Sequence, residues 1–352
     1  MAETPFLRRR WKLIVNLITI AALIVLVVAI RGQLADTFRN LFKVHAWALL
    51  LIIPTEFLNY DAQARLYKSL FGIVGNDLGY WRMYAASLEL NFINNVFPSG
   101  GVTGISYFGV RMRGSGITGA KAAVVQLLKL VLLFLSFEVL IVFGLFCLAI
   151  EGRINSVILL MAGMLTTVLV IGTAGFAYII GSEKRIAGFF TWATRALNKL
   201  LAPFRHGRSD TINVERAQAM FEDLHVNYML IRSDKRRLRE PFLWAGLANL
   251  WEVVAVYVVY VAFGHLVNFG AVILAYAVAN FAGLVSVLPG GVGIYEGLMT
   301  LVLTATGVPS RLSLPVTVMY RVVNTLVQLP PGYYFYHMTL HAAKKPTELD
   351  VV

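Results

Sequence analysis

The sequence predicts an all-α polytopic integral membrane protein built from two inverted-topology repeats. Of its 352 residues, 58% are hydrophobic and only 14% are charged, whereas soluble folds carry about 25% charged residues. Apolar runs of about 20 residues, the length that crosses a bilayer as a helix, recur along the chain. Two of these runs stop at similar motifs of proline and glycine, which predicts one broken helical hairpin in each repeat.

Charge and cysteine content exclude several other classes of protein. The net charge is +12, but the basic residues lie beside apolar runs, where they set membrane topology. We therefore expect no nucleic-acid partner. Cys147 is the only cysteine, which excludes a disulfide framework and a thiolate metal cage. We expect neither a metal nor a cofactor.

The first half, residues 1–180, is predicted to form the N-terminal membrane repeat. A basic start precedes the first span at residues 13–30, which predicts a cytoplasmic N-terminus. Residues 44–60 return to the cytoplasm, and residues 78–113 form the first broken hairpin. Residues 117–150 then cross outward and residues 156–180 cross back.

Residues 181–240 are the one sizeable hydrophilic segment, with 12 Lys or Arg against 7 Asp or Glu. This balance predicts a cytoplasmic, basic segment. The spacing of its apolar residues from Ile186 onward indicates an amphipathic helix, either lying at the membrane surface or packed against the protein.

The second half, residues 241–352, is predicted to form the C-terminal membrane repeat. Residues 241–263 cross outward, residues 269–306 form the second broken hairpin, and residues 312–340 cross to a cytoplasmic C-terminus. The total is about six full spans plus two hairpins, and the hairpins are either re-entrant or fully crossing. The loops on the outer side carry five basic residues and the inner segments most of the rest, which favours this orientation in a cytoplasmic membrane.

The two helix breaks are similar in sequence. The first runs FPSGGVTGI over residues 97–105 and the second LPGGVGI over residues 288–294. Proline removes a backbone donor and glycine is costly inside a helix. We expect the chain to break at Pro98, Gly100, Gly101 and Gly104 in the first half, and at Pro289, Gly290, Gly291 and Gly293 in the second.

Charged residues within the predicted spans are the candidate functional residues. Each costs about 3 kcal/mol at the bilayer centre, so each is paired within the protein or lines a polar path. Arg321, Asn324 and Gln328 share one helical face beside Tyr320, and Gln126 with Lys129 repeats the pattern in the first half. We expect Arg321 and Lys129 to bind a phosphate. The other candidates lie near the breaks or on a neighbouring span: Glu296, Glu89, Asn94, Asn95 and Glu252.

Catalysis has little support in the sequence. It contains no Gly-x-Ser-x-Gly elbow, no His-Glu-x-x-His and no Walker loop. We therefore predict that the protein is not an enzyme.

The second break and the residues after it resemble a known family. The run LPGGVGIYEG at residues 288–297, then Gly307-Val308 and Tyr320-Arg321, together with NNVFP at residues 94–98, is similar to the lysylphosphatidylglycerol synthase transmembrane-region family. In the multiple peptide resistance factors, this region is implied to flip aminoacylated phosphatidylglycerol, and a soluble synthase domain follows it. We expect this chain to be a stand-alone member without that domain.

The resemblance implies a flippase that moves an anionic or zwitterionic lipid between the leaflets, a class that includes aminoacylated and polyprenyl-linked lipids. Two alternatives stay open: a channel or secondary carrier for a small anion, and a membrane docking subunit of a lipid or glycan synthase. Expected partners are membrane lipids, a second copy of the chain, and a separately encoded lipid-modifying enzyme.

Overall fold

A computed structural model describes residues 44–96, 102–180, 235–285 and 293–342, together with residues 182, 185 and 188. Ten α-helices and no strands occur in these ranges. The first five are α1 (Ala46–Leu49), α2 (Ile52–Ile73), α3 (Tyr80–Val96), α4 (Val102–Arg113) and α5 (Gly119–Ile150). The others are α6 (Ser156–Ile180), α7 (Arg239–Ala262), α8 (Phe269–Val285), α9 (Ile294–Ala305) and α10 (Ser310–Ala342). A 3₁₀ turn, Lys235–Leu238, leads into α7.

The prediction of a helical, polytopic membrane protein is confirmed. Within the described ranges, three helical stretches are long and apolar enough to span a membrane: Lys121–Ile150, Ser156–Gly175 and Arg236–Ala262. On α6, Leu160 and Ile171 are 70% and 67% exposed, as expected of side chains that face lipid. Helices α2 and α10 are less apolar because each carries a polar face toward the protein interior. The span at residues 13–30 and most of the amphipathic segment lie outside the described residues.

The span predicted at residues 44–60 has different bounds in the structure. After α1 a new helix, α2, begins at Ile52 and continues to Ile73. Asp61 and Arg65 form an ion pair one turn apart, with Nε and Oδ2 at 2.9 Å, so these charges are compatible with a continuous helix. Leu66 and Phe71 beyond them are fully buried, which anchors the last two turns of α2.

The two halves contain matching sets of four helices. Helices α2 to α5 have 22, 17, 12 and 32 residues, and α7 to α10 have 24, 17, 12 and 33. The packing also corresponds. Helix α2 packs on α7, while α3 packs on α10 and α8 packs on α5, so each hairpin contacts the long helix of the other half. The opposite membrane orientation of the halves stays a prediction.

The helix pair α2–α7 lies at the centre of this arrangement. Asn59 donates to the backbone oxygen of Ala248 at 2.8 Å, and both residues are buried. A large apolar core lies between α5, α7, α8 and α9. A second apolar core fills the space between α2, α4 and α5. Polar side chains collect between these cores, where the end of α3 and the start of α9 approach the middle of α10.

Candidate functional site

A polar cavity of about 300 Å³ lies between the end of α3, the start of α9 and the middle of α10. Helices α7 and α8 complete its walls. The lining residues are Asn91, Asn94, Asn95, Glu252, Tyr276, Asn280, Tyr295, Tyr320, Arg321, Asn324, Thr325 and Gln328. Seven of the sequence candidates are among them, so the predicted stripe on α10 and the polar approach on α3 face the same space.

Arg321 forms an ion pair with Glu296 at one end of this cavity. Its Nη1 lies 2.5 Å from Oε1 of Glu296, and the two side chains are 16% and 5% exposed. The other carboxylate oxygen, Oε2, accepts the N–H of Gly293 at 2.6 Å. The guanidinium also lies 5.0 Å from the centre of the Tyr295 ring. Glu296 therefore couples the first turn of α9 to the middle of α10.

Glycine is favoured at two of the predicted break positions. Gly293 has a φ of +89°, in the left-handed region that other residues rarely adopt, and this conformation lets its N–H reach Glu296. At Gly104, a Cβ would overlap the side chain of Asn94, so glycine allows α4 to approach α3 closely. Residues 98, 100, 101 and 289–291 lie outside the described residues.

Glu252 occupies another wall of the cavity. Its Oε2 accepts the hydroxyl of Tyr320 at 2.9 Å, and that hydroxyl in turn accepts from Asn324 at 3.2 Å. Tyr276 also hydrogen-bonds this carboxylate. Glu252 forms no ion pair within the described ranges. The cavity thus presents one carboxylate that neutral groups hold in place.

Glu56 lies directly behind the cavity wall, where it contacts the lining residue Gln328. It is 2% exposed and accepts from Gln328 at 2.7 Å. Gln328 accepts from Asn91 through its own side-chain oxygen at 2.6 Å. Glu56 and Glu252 also lie close enough to repel each other electrostatically.

The cavity region therefore contains more acidic than basic side chains among the described residues. Three acidic residues, Glu56, Glu252 and Glu296, accompany one described basic residue, Arg321. Residues 97–101 and 286–292, outside the described ranges, contain no ionisable side chain.

Lys129 and Gln126 lie elsewhere, between α2 and α5. The ammonium of Lys129 donates to Gln63 at 2.9 Å and to the hydroxyl of Tyr67 at 3.0 Å, and that hydroxyl donates to Gln126 at 3.0 Å. Lys129 is the eleventh residue of α5, and the eleventh residue of α10 is Tyr320. The structural counterpart of Lys129 is thus Tyr320 and not Arg321.

Glu89 also lies outside the central cavity. It is fully buried and accepts hydrogen bonds from Tyr107, Arg111 and Thr339. Its ion pair with Arg111 has a distance of 2.9 Å. The structure therefore separates the candidate residues into a central cavity, a Lys129 cluster and a Glu89 cluster.

Five lining residues are not among the sequence candidates: Asn91, Tyr276, Asn280, Tyr295 and Thr325. Tyr276 and Asn280 are one turn apart in the otherwise apolar helix α8, and this spacing is the signal that could have identified them. Within the described ranges, no group of three His, Cys, Asp or Glu side chains could hold a metal ion.

Comparison with known proteins identifies relatives of this chain. One is a UPF0104 membrane protein of Pyrococcus horikoshii, 23% identical over 51% of this chain and 52% of the relative. The others are UPF0104 membrane proteins of Methanothermobacter thermautotrophicus. One is 35% identical over 28% of this chain and 30% of the relative, and another is 21% identical over 89% of this chain and 90% of the relative.

The first two of these matches span about half and about a third of the relative's length, whereas the third spans nearly all of it. The family model of the lysylphosphatidylglycerol synthase transmembrane region matches residues 13–332, which include every helix of both halves apart from the last turns of α10. This chain belongs to the lysylphosphatidylglycerol synthase transmembrane-region family.

Proposed function

We propose that this protein moves a lipid headgroup between the two leaflets of a membrane. The observation that carries the proposal is the central cavity, where an arginine and an acidic residue from different helices face one polar space beside the end of α3 and the start of α9. A headgroup in this cavity would replace its hydrogen bonds to water by hydrogen bonds to amide, hydroxyl and charged side chains.

The charge balance favours a headgroup that carries both a phosphate and an amine. A phosphate would bind the guanidinium of Arg321, which offers a planar fork of donors. An ammonium group would bind the carboxyl group of Glu252, whose described hydrogen-bond partners are neutral. A zwitterionic or aminoacylated phospholipid meets both conditions.

The Arg321–Glu296 pair suits an exchange of partners. When a phosphate takes the guanidinium, Glu296 keeps the hydrogen bond from the Gly293 N–H and is not left without a donor. The start of α9 also favours negative charge through its helix dipole. We infer that Glu296 holds Arg321 in position between substrates and releases it to the phosphate.

The size of the cavity fits a headgroup better than a whole lipid. About 300 Å³ is at the lower end of the range of small-molecule sites. We propose that the headgroup passes through the cavity while the acyl chains stay in the surrounding membrane. The proposal includes no catalytic step.

The proposed location is the cytoplasmic membrane, with both termini and residues 181–240 on the cytoplasmic side. The distribution of Lys and Arg along the sequence supports this orientation. A second copy of the chain, or a separately encoded enzyme that modifies the transported lipid, is the partner that we propose.

The test is leaflet exchange of fluorescent phospholipids in liposomes that contain the purified chain. An impermeant quencher bleaches the outer leaflet, and the rate at which the remaining fluorescence is lost measures exchange. We expect wild-type exchange to be fastest with zwitterionic or aminoacylated headgroups and to be lost in Arg321→Gln. Arg311→Gln is the matched control, because Arg311 lies ten residues earlier on α10 and is exposed.

Exchange no faster than in empty liposomes, with every headgroup tested, would refute lipid translocation. Flux of a small anion through the same liposomes, lost in Arg321→Gln, would then support the carrier alternative.

A further inference from the structure

A second cavity, of about 520 Å³, lies between α3, α4 and the last turns of α10. Glu89 forms its polar end. One carboxylate oxygen, Oε2, accepts from the Tyr107 hydroxyl at 2.7 Å and from Nε of Arg111 at 2.9 Å. The other, Oε1, accepts from the Thr339 hydroxyl at 2.8 Å. These bonds position Arg111 at the cavity wall.

Arg111 has donors left for a ligand. Only its Nε is used by Glu89, and within the described part of the chain its terminal guanidinium nitrogens form no hydrogen bond. The side chain lines the cavity and is 19% exposed. Because Glu89 neutralises the guanidinium without covering it, an anionic oxygen could bind the open edge at little cost in desolvation.

The remaining walls of this cavity are apolar and open outward. Val110 is 64% exposed and Met338 is 52% exposed, and Phe335 lies beside them. In a membrane protein, exposed apolar side chains of this kind face lipid. The cavity therefore has a charged inner end and an apolar opening toward the lipid. These two parts match the headgroup and the acyl chains of a phospholipid.

The flanking residues place the cavity near one surface of the membrane. Trp81 is 72% exposed at the start of α3, and exposed tryptophan marks the membrane–water interface. At 1.5 Å per residue, Glu89 lies about 12 Å deeper along the helix. Arg113, at the end of α4, is exposed, and Arg111 is only two residues before it. The backbone of Arg111 thus lies near the membrane surface, and its side chain reaches inward to Glu89, with Nε and Oε2 at 2.9 Å.

The second cavity is adjacent to the central one. Both are bordered by α3 and α10, and Asn91 of the central cavity is two residues from Glu89. Between the two cavities the helices touch closely. A Cβ at Gly332 would lie 2.7 Å from Cβ of Phe92 and 2.8 Å from the backbone oxygen of Leu88. A ligand in the second cavity is therefore separated from the central site by a narrow helix contact.

We propose that this second cavity is the loading site for the translocated phospholipid, with its phosphate on the terminal nitrogens of Arg111 and an acyl chain along Val110 and Met338. This inference rests on the proposed function, since it assigns where the lipid binds before its headgroup reaches Arg321. By the predicted topology, the site faces the cytoplasmic leaflet.

The test uses phosphatidylethanolamine with a photoactivatable group in its acyl chain, mixed into phosphatidylglycerol liposomes that contain the full chain. Mass spectrometry locates the crosslinks after illumination. We expect crosslinks on the peptides that contain Val110 and Met338, reduced about fivefold or more in Glu89→Gln/Arg111→Gln. Arg113→Gln, on the same helix, should crosslink as the wild type does. Millimolar inorganic phosphate should not reduce the yield, because the acyl chain holds the lipid in place.

A second variant tests the same site in case the variant Glu89→Gln/Arg111→Gln does not fold. Ala85→Trp fills the cavity from α3 and leaves Glu89 and Arg111 unchanged, and it should reduce crosslinking to a similar extent. Leaflet exchange is measured in the same liposomes and should slow in both variants.

The outcomes separate this inference from the proposed function. Normal crosslinking in both variants would overturn the loading site, even if exchange still required Arg321. Loss of crosslinks to inorganic phosphate would assign the site to a free anion instead of a lipid. Site-specific crosslinking without any wild-type exchange would refute translocation and leave a lipid-binding site.

Discussion

The two hairpins contact the long helices of the opposite halves in different ways. Between α3–α4 and α10, a charged cluster around Glu89 borders an open cavity. Between α8–α9 and α5, a Cβ at Gly270 would overlap the backbone carbonyl of Gly144. Ile273 and Leu274 beside this contact are buried. One interface therefore combines close packing at Gly332 with a charged cluster and an open cavity, whereas the matching interface is apolar and closed.

This difference indicates which of the two helix interfaces opens more easily. A dry, closely packed contact loses dispersion and burial energy over its whole area when it opens, whereas a cavity lined by a few hydrogen bonds has less to lose. The polar end of α10 also follows Pro330 and Pro331, which remove two helix donors. We interpret the α3–α4 side as the one that opens to lipid in this state of the protein.

The largest effect is expected at the polar interface. Glu89→Ala removes the acceptor for three donors and leaves Arg111 as a half-buried charge without its carboxylate. Breaking a buried ion pair from one side costs about 3–5 kcal/mol. The free energy of unfolding measured in detergent should therefore fall by about this amount.

The double variant Glu89→Gln/Arg111→Gln should lose much less stability than Glu89→Ala, since it leaves no unpaired charge. Equal losses in the two variants would contradict a coupled pair.

The next effect concerns transport. Arg321→Gln removes a charge-assisted contact worth about 1.5–3 kcal/mol, so leaflet exchange should fall by about ten- to a hundred-fold. Arg321→Lys should recover part of the rate, because lysine keeps the charge but lacks the planar fork. Full activity of Arg321→Gln in the exchange assay would exclude this residue from the path.

Packing at the closed interface can be broken by a larger side chain. Gly270→Leu should destabilise the protein by about 1–3 kcal/mol through overpacking against Gly144, as measured by denaturant unfolding. Gly163→Leu is the matched control, since Gly163 lies in a helix where an added Cβ would meet open space. A loss as large in Gly163→Leu would show that the effect comes from helix propensity or lipid contact instead.

The smallest effect is expected at Lys129. Its described partners, Gln63 and Tyr67, are neutral, so Lys129→Gln should cost only about 1 kcal/mol of hydrogen bonding. Leaflet exchange should stay within about threefold of the wild-type rate. A loss comparable to that in Arg321→Gln would place Lys129 on the transport path, as the sequence alone suggests.

Much of the architecture was readable in the sequence because membrane helices must be long, apolar and continuous. The helical class and most helix ends follow from that requirement. The stripe of Arg321, Asn324 and Gln328 was also predictable, since residues three and four apart share a helix face. The family was recognisable from the residues around the second break.

Partners across helices were not predictable in the same way. Lys129 and Arg321 have nearly equal offsets in the two halves, yet one contacts neutral groups on α2 and the other an acidic residue on α9. Glu89 and Glu252 are both intramembrane carboxylates, but only the second lines the central cavity. Sequence spacing determines which side chains share a helix face, and helix packing alone decides what each face meets, because a rotation or shift of one neighbouring helix exchanges its partners.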